Sequence, residues 1–171
     1  MIESTLWKHL KPELRRLGKF QKISDRFTPG VPDVLGCSGA GIAMELKEFD
    51  GVRVLKVSFR PGQLDWLRDW SKGGGISWIV VSHRQTVYVF RWQTGPELEE
   101  GCSPDRVDRI ALLKFTKNRG NSWKDFVTQL AALDARIGPG TVDPYPRNDK
   151  NPARSRFGTP AGLLKLDFSK A

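Results

Sequence analysis

Residues 32–51 constrain the fold of this chain more than any other stretch. A Pro32-Asp33 pair opens a short apolar run. Ser38, Gly39, Ala40 and Gly41 then turn the chain, and a second apolar run carries Glu45-Leu46-Lys47. This pattern predicts two adjoining strands over 32–37 and 41–49. Side chains alternate faces along a strand, so Glu45 and Lys47 point one way and Met44 and Leu46 the other. The apolar pair needs a core, which sends the charged pair to the opposite face. Adjacent strands lie about 4.8 Å apart, near enough for Asp33 and Glu45 to reach one cation.

The flanking sequence builds an α/β layer around this pair. Leu6, Leu10, Leu14 and Leu17 recur at helical spacing over 2–17, although Pro12 should kink that helix or start a second one. Residues 20–27 read as a strand. Residues 52–59 alternate apolar and polar, as a fourth strand or an extended loop. Pro61 suits the first turn of a helix over 61–72, and Gly73, Gly74 and Gly75 end it. The apolar run 76–82 predicts a strand buried on both faces, with 86–92 as its hairpin neighbour. Residues 95–105 read as a polar loop with a helical turn, and 110–116 as a strand. Residues 122–137 form an amphipathic helix whose apolar face carries Trp123, Phe126, Val127, Leu130, Leu133 and Ile137. The expected core order is helix, three strands, helix, strand (αβββαβ), with a mixed sheet. It fills a domain over 1–137. From Gly138 prolines and scattered charges predict an extended or partly disordered basic tail over 138–171.

Composition narrows the class of partner. The chain has 171 residues and a formal charge of +9, which favours polyanions. Two cysteines, Cys37 and Cys102, make no short disulfide framework, so a reducing, intracellular (cytoplasmic) compartment is expected. Together with His9 and His83 they match no common zinc spacing. No apolar run reaches membrane-spanning length, and no small-molecule cofactor motif is apparent.

Four features carry the candidate chemistry. A hard cation such as Mg²⁺ takes oxygen ligands, and Asp33, Glu45 and the Leu46 carbonyl supply three. Lys47 would orient a nucleophile or stabilise charge at a phosphate. The plainer reading makes Glu45 and Lys47 a solvated strand face and Asp33 a turn residue. Glu3 falls within the leucine stripe of the first helix, where a carboxylate needs a partner such as a cation or Lys47; the alternative is a frayed helix end with the charge in water. Gln63 shares a helix face with Trp66, Leu67 and Trp70, so its amide must bond either to the active face of the sheet or to local backbone. Arg53, Lys56 and Arg60 lie near these residues and suit phosphate contacts. Lys114, Lys117 and Arg119 form a second basic cluster, and Arg147, Lys150, Arg154 and Arg156 decorate the tail. Any one of these is more often plain surface than contact.

A helix glutamate, Pro-Asp, Glu-x-Lys and a later helix glutamine together resemble the PD-(D/E)xK nuclease superfamily. They are most similar to its VRR-NUC branch and to archaeal-type Holliday junction resolvases. The resemblance runs over roughly residues 1–82, through Glu3, DRFTPGVPDVLG, MELK and RPGQLDWL. It implies a restriction-endonuclease-like fold and Mg²⁺- or Mn²⁺-dependent cleavage of DNA, in replication, recombination or repair. By that resemblance Asp33 and Glu45 bind metal, Lys47 is catalytic, Glu3 is the helix acid, Gln63 is the family's glutamine, and Arg26 loosely matches an arginine before the Pro-Asp. The insert GVRVLKVSFR departs from the pattern. Small stand-alone members are often viral, and a junction resolvase would pair its active sites in a homodimer. The leading expectation is a structure-selective endonuclease on branched or double-stranded DNA. The alternatives are a catalytically silent binding module of the same fold, and an RNA-directed or toxin-type nuclease.

Overall fold

The computed structural model describes residues 5–23, 28–118 and 120–136, without the side chains of 134–136. Six strands form one sheet in sequence order: β1 (Lys19–Lys22), β2 (Val34–Cys37), β3 (Gly41–Phe49), β4 (Ile76–His83), β5 (Thr86–Arg91) and β6 (Leu113–Thr116). All neighbours are antiparallel except β3 and β4, which run parallel. A parallel pair needs a crossover, and helix α2 (Gln63–Lys72) supplies it. Helix α1 (Thr5–Leu17) precedes the sheet, and α5 (Trp123–Arg136) follows it. The order αβββαβ is therefore present, within an α/β fold whose mixed sheet is flanked by helices.

Strand alternation sorts the core into two layers. Ile42, Met44 and Leu46 of β3 pack with Leu6, Leu10 and Leu14 of α1 and with Phe126 and Leu130 of α5. Ala43 of β3, Ile79 and Val81 of β4 and Phe90 of β5 face the other way, onto Leu67 of α2. Burying each such side chain is worth roughly 1.5–3 kcal/mol, so sliding β3 by one residue would forfeit both layers. That register fixes the face on which Glu45 and Lys47 lie, which is the α2 side.

Several expected boundaries are corrected. Pro12 sits on the exposed side of a single helix and neither starts a second helix nor divides α1. Helix α2 begins at Gln63, not Pro61, because Gly62 ahead of it is left-handed (φ 84°). Of the two readings of residues 52–59 the extended loop holds, since they form no sheet strand. Their alternation instead seats Leu55 and Val57 in the second core layer, through paired backbone bonds of Leu55 with Cys102 and a bond from Val57 N–H to the Leu98 carbonyl. Residues 95–105 are more ordered than a loop, with helices α3 (Gly95–Glu100) and α4 (Pro104–Ile110). Ser103 caps α4 by accepting from Arg106 N–H, so the last strand starts at Leu113 and not at residue 110. Of the expected strand 20–27 the structure describes β1 and Ile23; residues 24–27, Ile137 and the tail from Gly138 lie outside the described residues.

Candidate active site

Asp33 directly precedes β2 and, by continuation of the β2–β3 register, stands opposite Glu45. Its carboxylate does not dangle: Leu46 N–H donates to Asp33 Oδ2 at 3.0 Å. A strand residue presents its N–H and C=O at the same edge, so the Leu46 carbonyl also faces Asp33. Glu45 and Lys47 project together from the α2 side of β3, with Lys47 Nζ 2.8 Å from Glu45 Oε1. Lys47 Nζ also donates to Gln63 Oε1 at 3.2 Å, and the same oxygen accepts from Arg60 N–H at 2.8 Å. The Arg60 guanidinium reaches to 4.0 Å from Asp33 Oδ1. Three separate stretches thus converge on one spot.

Burial decides what these groups are. The Glu45 residue is only 1 % exposed and Gln63 0 %, which excludes the solvated-strand reading. Removal from water pushes the Glu45 carboxyl up to about 7, and the nearby Asp33 charge adds to the rise; Lys47 and Arg60 offset only part of it. Among the described residues Glu45 Oε2 has no hydrogen-bond partner, and neither has Gln63 Nε2. Such orphaned buried atoms are uncommon and call for a reason. Both readings of Gln63 hold at once, since its oxygen bonds the sheet lysine and the local backbone.

Local backbone chemistry brings the halves of the site together. Gly30 (φ 85°) and Gly62 (φ 84°) are both left-handed, a conformation glycine adopts freely. A Cβ on Gly30 would sit 2.6 Å from the Gly62 carbonyl carbon and oxygen. The turn before Asp33 therefore lies directly on the turn before Gln63.

Sequence reasoning missed two contributors. Phe59 places its ring under Lys47, with Nζ 5.0 Å from the centroid, a cation–π contact that holds the ammonium over an apolar floor. The alternation of Leu55, Val57 and Phe59 was the available signal. Glu48 accepts from Leu6 N–H at 3.0 Å and so ties the start of α1 to β3; nothing in the sequence pairs these two.

The other candidates are scattered. Arg53 and Lys56 are exposed on the insert that leads to Arg60. Lys114 lies on the Glu45 face, in the cross-sheet row Lys47, Val81, Tyr88, Lys114, three strands or about 14 Å away, and its ammonium is held by Asp108 at 2.7 Å. Lys117 Nζ stands 5.6 Å from the Trp123 ring centroid. Glu3, Arg26, Arg119, Arg147, Lys150, Arg154 and Arg156 lie outside the described residues. Among the described residues, no three His, Cys, Asp or Glu side chains gather into a metal-holding group, and both cysteines are free. No described helix is long and apolar enough to cross a membrane.

No family model matches this sequence, and no curated protein does either. Among solved structures the chain is similar to Hjc of Archaeoglobus fulgidus, a Holliday junction resolvase from an archaeal hyperthermophile. The two share 18% sequence identity over 54% of this chain and 77% of that one, with a TM-score of 0.38.

The donor set fits a hard divalent cation. Two carboxylates from adjoining strands and a strand-edge carbonyl are all oxygen, and the unpartnered Glu45 Oε2 is the kind of atom a cation would satisfy.

Proposed function

We propose that this chain is a divalent-metal-dependent DNA endonuclease of the PD-(D/E)xK type, acting on branched or otherwise distorted duplexes. One observation carries the reading: Glu45, buried and with an orphaned oxygen, stands opposite Asp33 and is paired with Lys47. Such a carboxylate is costly in an inert fold, and the same arrangement suits phosphodiester hydrolysis.

Asp33, Glu45 and the Leu46 carbonyl would hold Mg²⁺ or Mn²⁺. When bound, the ion supplies polarisation of a phosphoryl oxygen and a more acidic water. Lys47 sets a positive charge where negative charge develops on the phosphate. Gln63 and Phe59 restrain the ammonium from two sides, which reduces the reorganisation needed when the phosphate arrives. Arg60, 61% exposed at its side chain, is free to turn outward and grip a phosphate. Water oxygen bonds to phosphorus, the bond to the 3′ oxygen breaks, and the strand ends in a 5′-phosphate and a 3′-hydroxyl. Substrate choice by shape fits the absence of a base-reading motif in the sequence. Two copies acting together would suit a four-way junction.

The test is plasmid nicking. Wild type should nick supercoiled DNA with Mg²⁺ and leave it intact in EDTA, and Lys47→Ala should lose at least about 100-fold in rate. Equal cutting by Lys47→Ala would remove this site from the mechanism. Binding to DNA without cutting, in Mg²⁺ or Mn²⁺, would identify a silent binding module. Cleavage of RNA alone would identify a ribonuclease.

A further inference from the structure

The segment that follows the Glu45–Lys47 strand begins with an exposed apolar pair that cleavage alone does not require. Among the described residues the two exposed large hydrophobic side chains are Val52, 75% exposed, and Val54, 46% exposed. They flank Arg53, which is also exposed. Scattered apolar surface is ordinary, but these two valines belong to one three-residue tip that is anchored at both ends. On one side the Gly51 carbonyl accepts from His83 Nε2 at 2.8 Å, and the Phe49 ring lies against Gly51. On the other side Leu55 exchanges both backbone bonds with Cys102, each 2.9 Å. Val54 also leans on the bare Cα of Gly101. The tip is thus anchored on both sides.

Its position relates it to the site. Strand β3 ends at Phe49, two residues beyond Lys47, and the tip follows after Asp50 and Gly51. The return segment then alternates: Leu55 and Val57 are buried and Phe59 is half-buried, while Lys56, Ser58 and Arg60 face solvent. Residues two apart on extended chain are about 6.6 Å apart, so Lys56, Ser58 and Arg60 make a polar row about 13 Å long, a few nucleotide steps of duplex backbone at about 3.4 Å each. The row ends where Arg60 meets Asp33.

We propose that Val52-Arg53-Val54 is a wedge that enters an unstacked base step at a DNA branch point, while Lys56, Ser58 and Arg60 carry that strand's phosphates toward Asp33, Glu45 and Lys47. The proposal rests on the nuclease reading and names its substrate feature. Apolar side chains inserted between bases, with cations on the adjoining backbone, are a general way to hold a kinked duplex. A second copy of this chain is a poorer occupant, because a symmetric contact would bring Arg53 and Lys56 against their own like charges.

The test uses Lys47→Ala chain with a four-way junction and a linear duplex, each carrying 2-aminopurine, at the branch point in the junction. The expected result is a rise in fluorescence on the junction and tighter binding to it than to the duplex. Adding Val52→Ser and Val54→Ser should abolish the rise and bring the affinity ratio toward one. Persistence of the rise in the valine variant would overturn the wedge. So would a change of sedimentation of the valine variant without DNA, which would make the tip a contact between copies. Cleavage is read separately with wild type. Loss of the wedge leaves nicking by Lys47 intact as a reading, and absence of nicking leaves the fluorescence result to stand or fall alone.

Discussion

Glu45→Gln should make the metal-free protein more stable, and only above a defined pH. The Glu45 carboxyl is raised from its ordinary 4.5 to about 7, first by burial and then by Asp33. At about 1.36 kcal/mol per pH unit, that rise corresponds to roughly 3 kcal/mol of destabilisation in the ionised form. Because the folded value lies above the unfolded one, the folded state holds the proton more tightly. The stabilisation is fully present below about pH 4.5 and is lost as pH rises through about 7. A glutamine keeps the shape and an oxygen for Lys47 but cannot ionise. Urea unfolding in EDTA at pH 4.5 and pH 8.5 should therefore give wild type and variant similar stabilities at the lower pH. At the higher pH the variant should lead by up to about 3 kcal/mol, or roughly 6–12 °C in Tm for a chain of this size. Parallel curves across that range, or a wild type that gains on the variant as pH rises, would refute the buried-carboxylate reasoning.

Gly30→Ala would force a side chain into left-handed backbone and against the Gly62 carbonyl, 2.6 Å from its Cβ; a loss of at least about 1–3 kcal/mol is expected in thermal melts. Lys56→Ala should weaken DNA binding evenly across sequences and lower the salt-dependence slope by about one in a titration of affinity against ionic strength.

The αβββαβ order and the faces of β3 were legible because strand alternation and helical periodicity are enforced by burial. Met44 and Leu46 go to the α1 layer, so Glu45 and Lys47 must go to the other. What the sequence hid were contacts between distant stretches. Nothing in GVRVLKVSFR announces that its alternation docks on Cys102 and Leu98 instead of extending the sheet. Residues 95–105 looked loop-like because the helices there are short and largely polar, and the Arg106–Glu97 pair that joins them is non-local. Pro61 resembled a helix start because proline suits a first turn, but left-handed Gly62 shifts that start to Gln63. The burial of Glu45, rather than its face, depends on helix α2 lying over it, and local pattern does not report that.

The most direct measurement is anomalous diffraction from a crystal soaked in Mn²⁺. The expected result is a single strong peak shared by the carboxylates of Asp33 and Glu45, with the Leu46 carbonyl at its edge. A peak elsewhere, or none at Mn²⁺ concentrations that support nicking, would contradict a catalytic cation held by these strands.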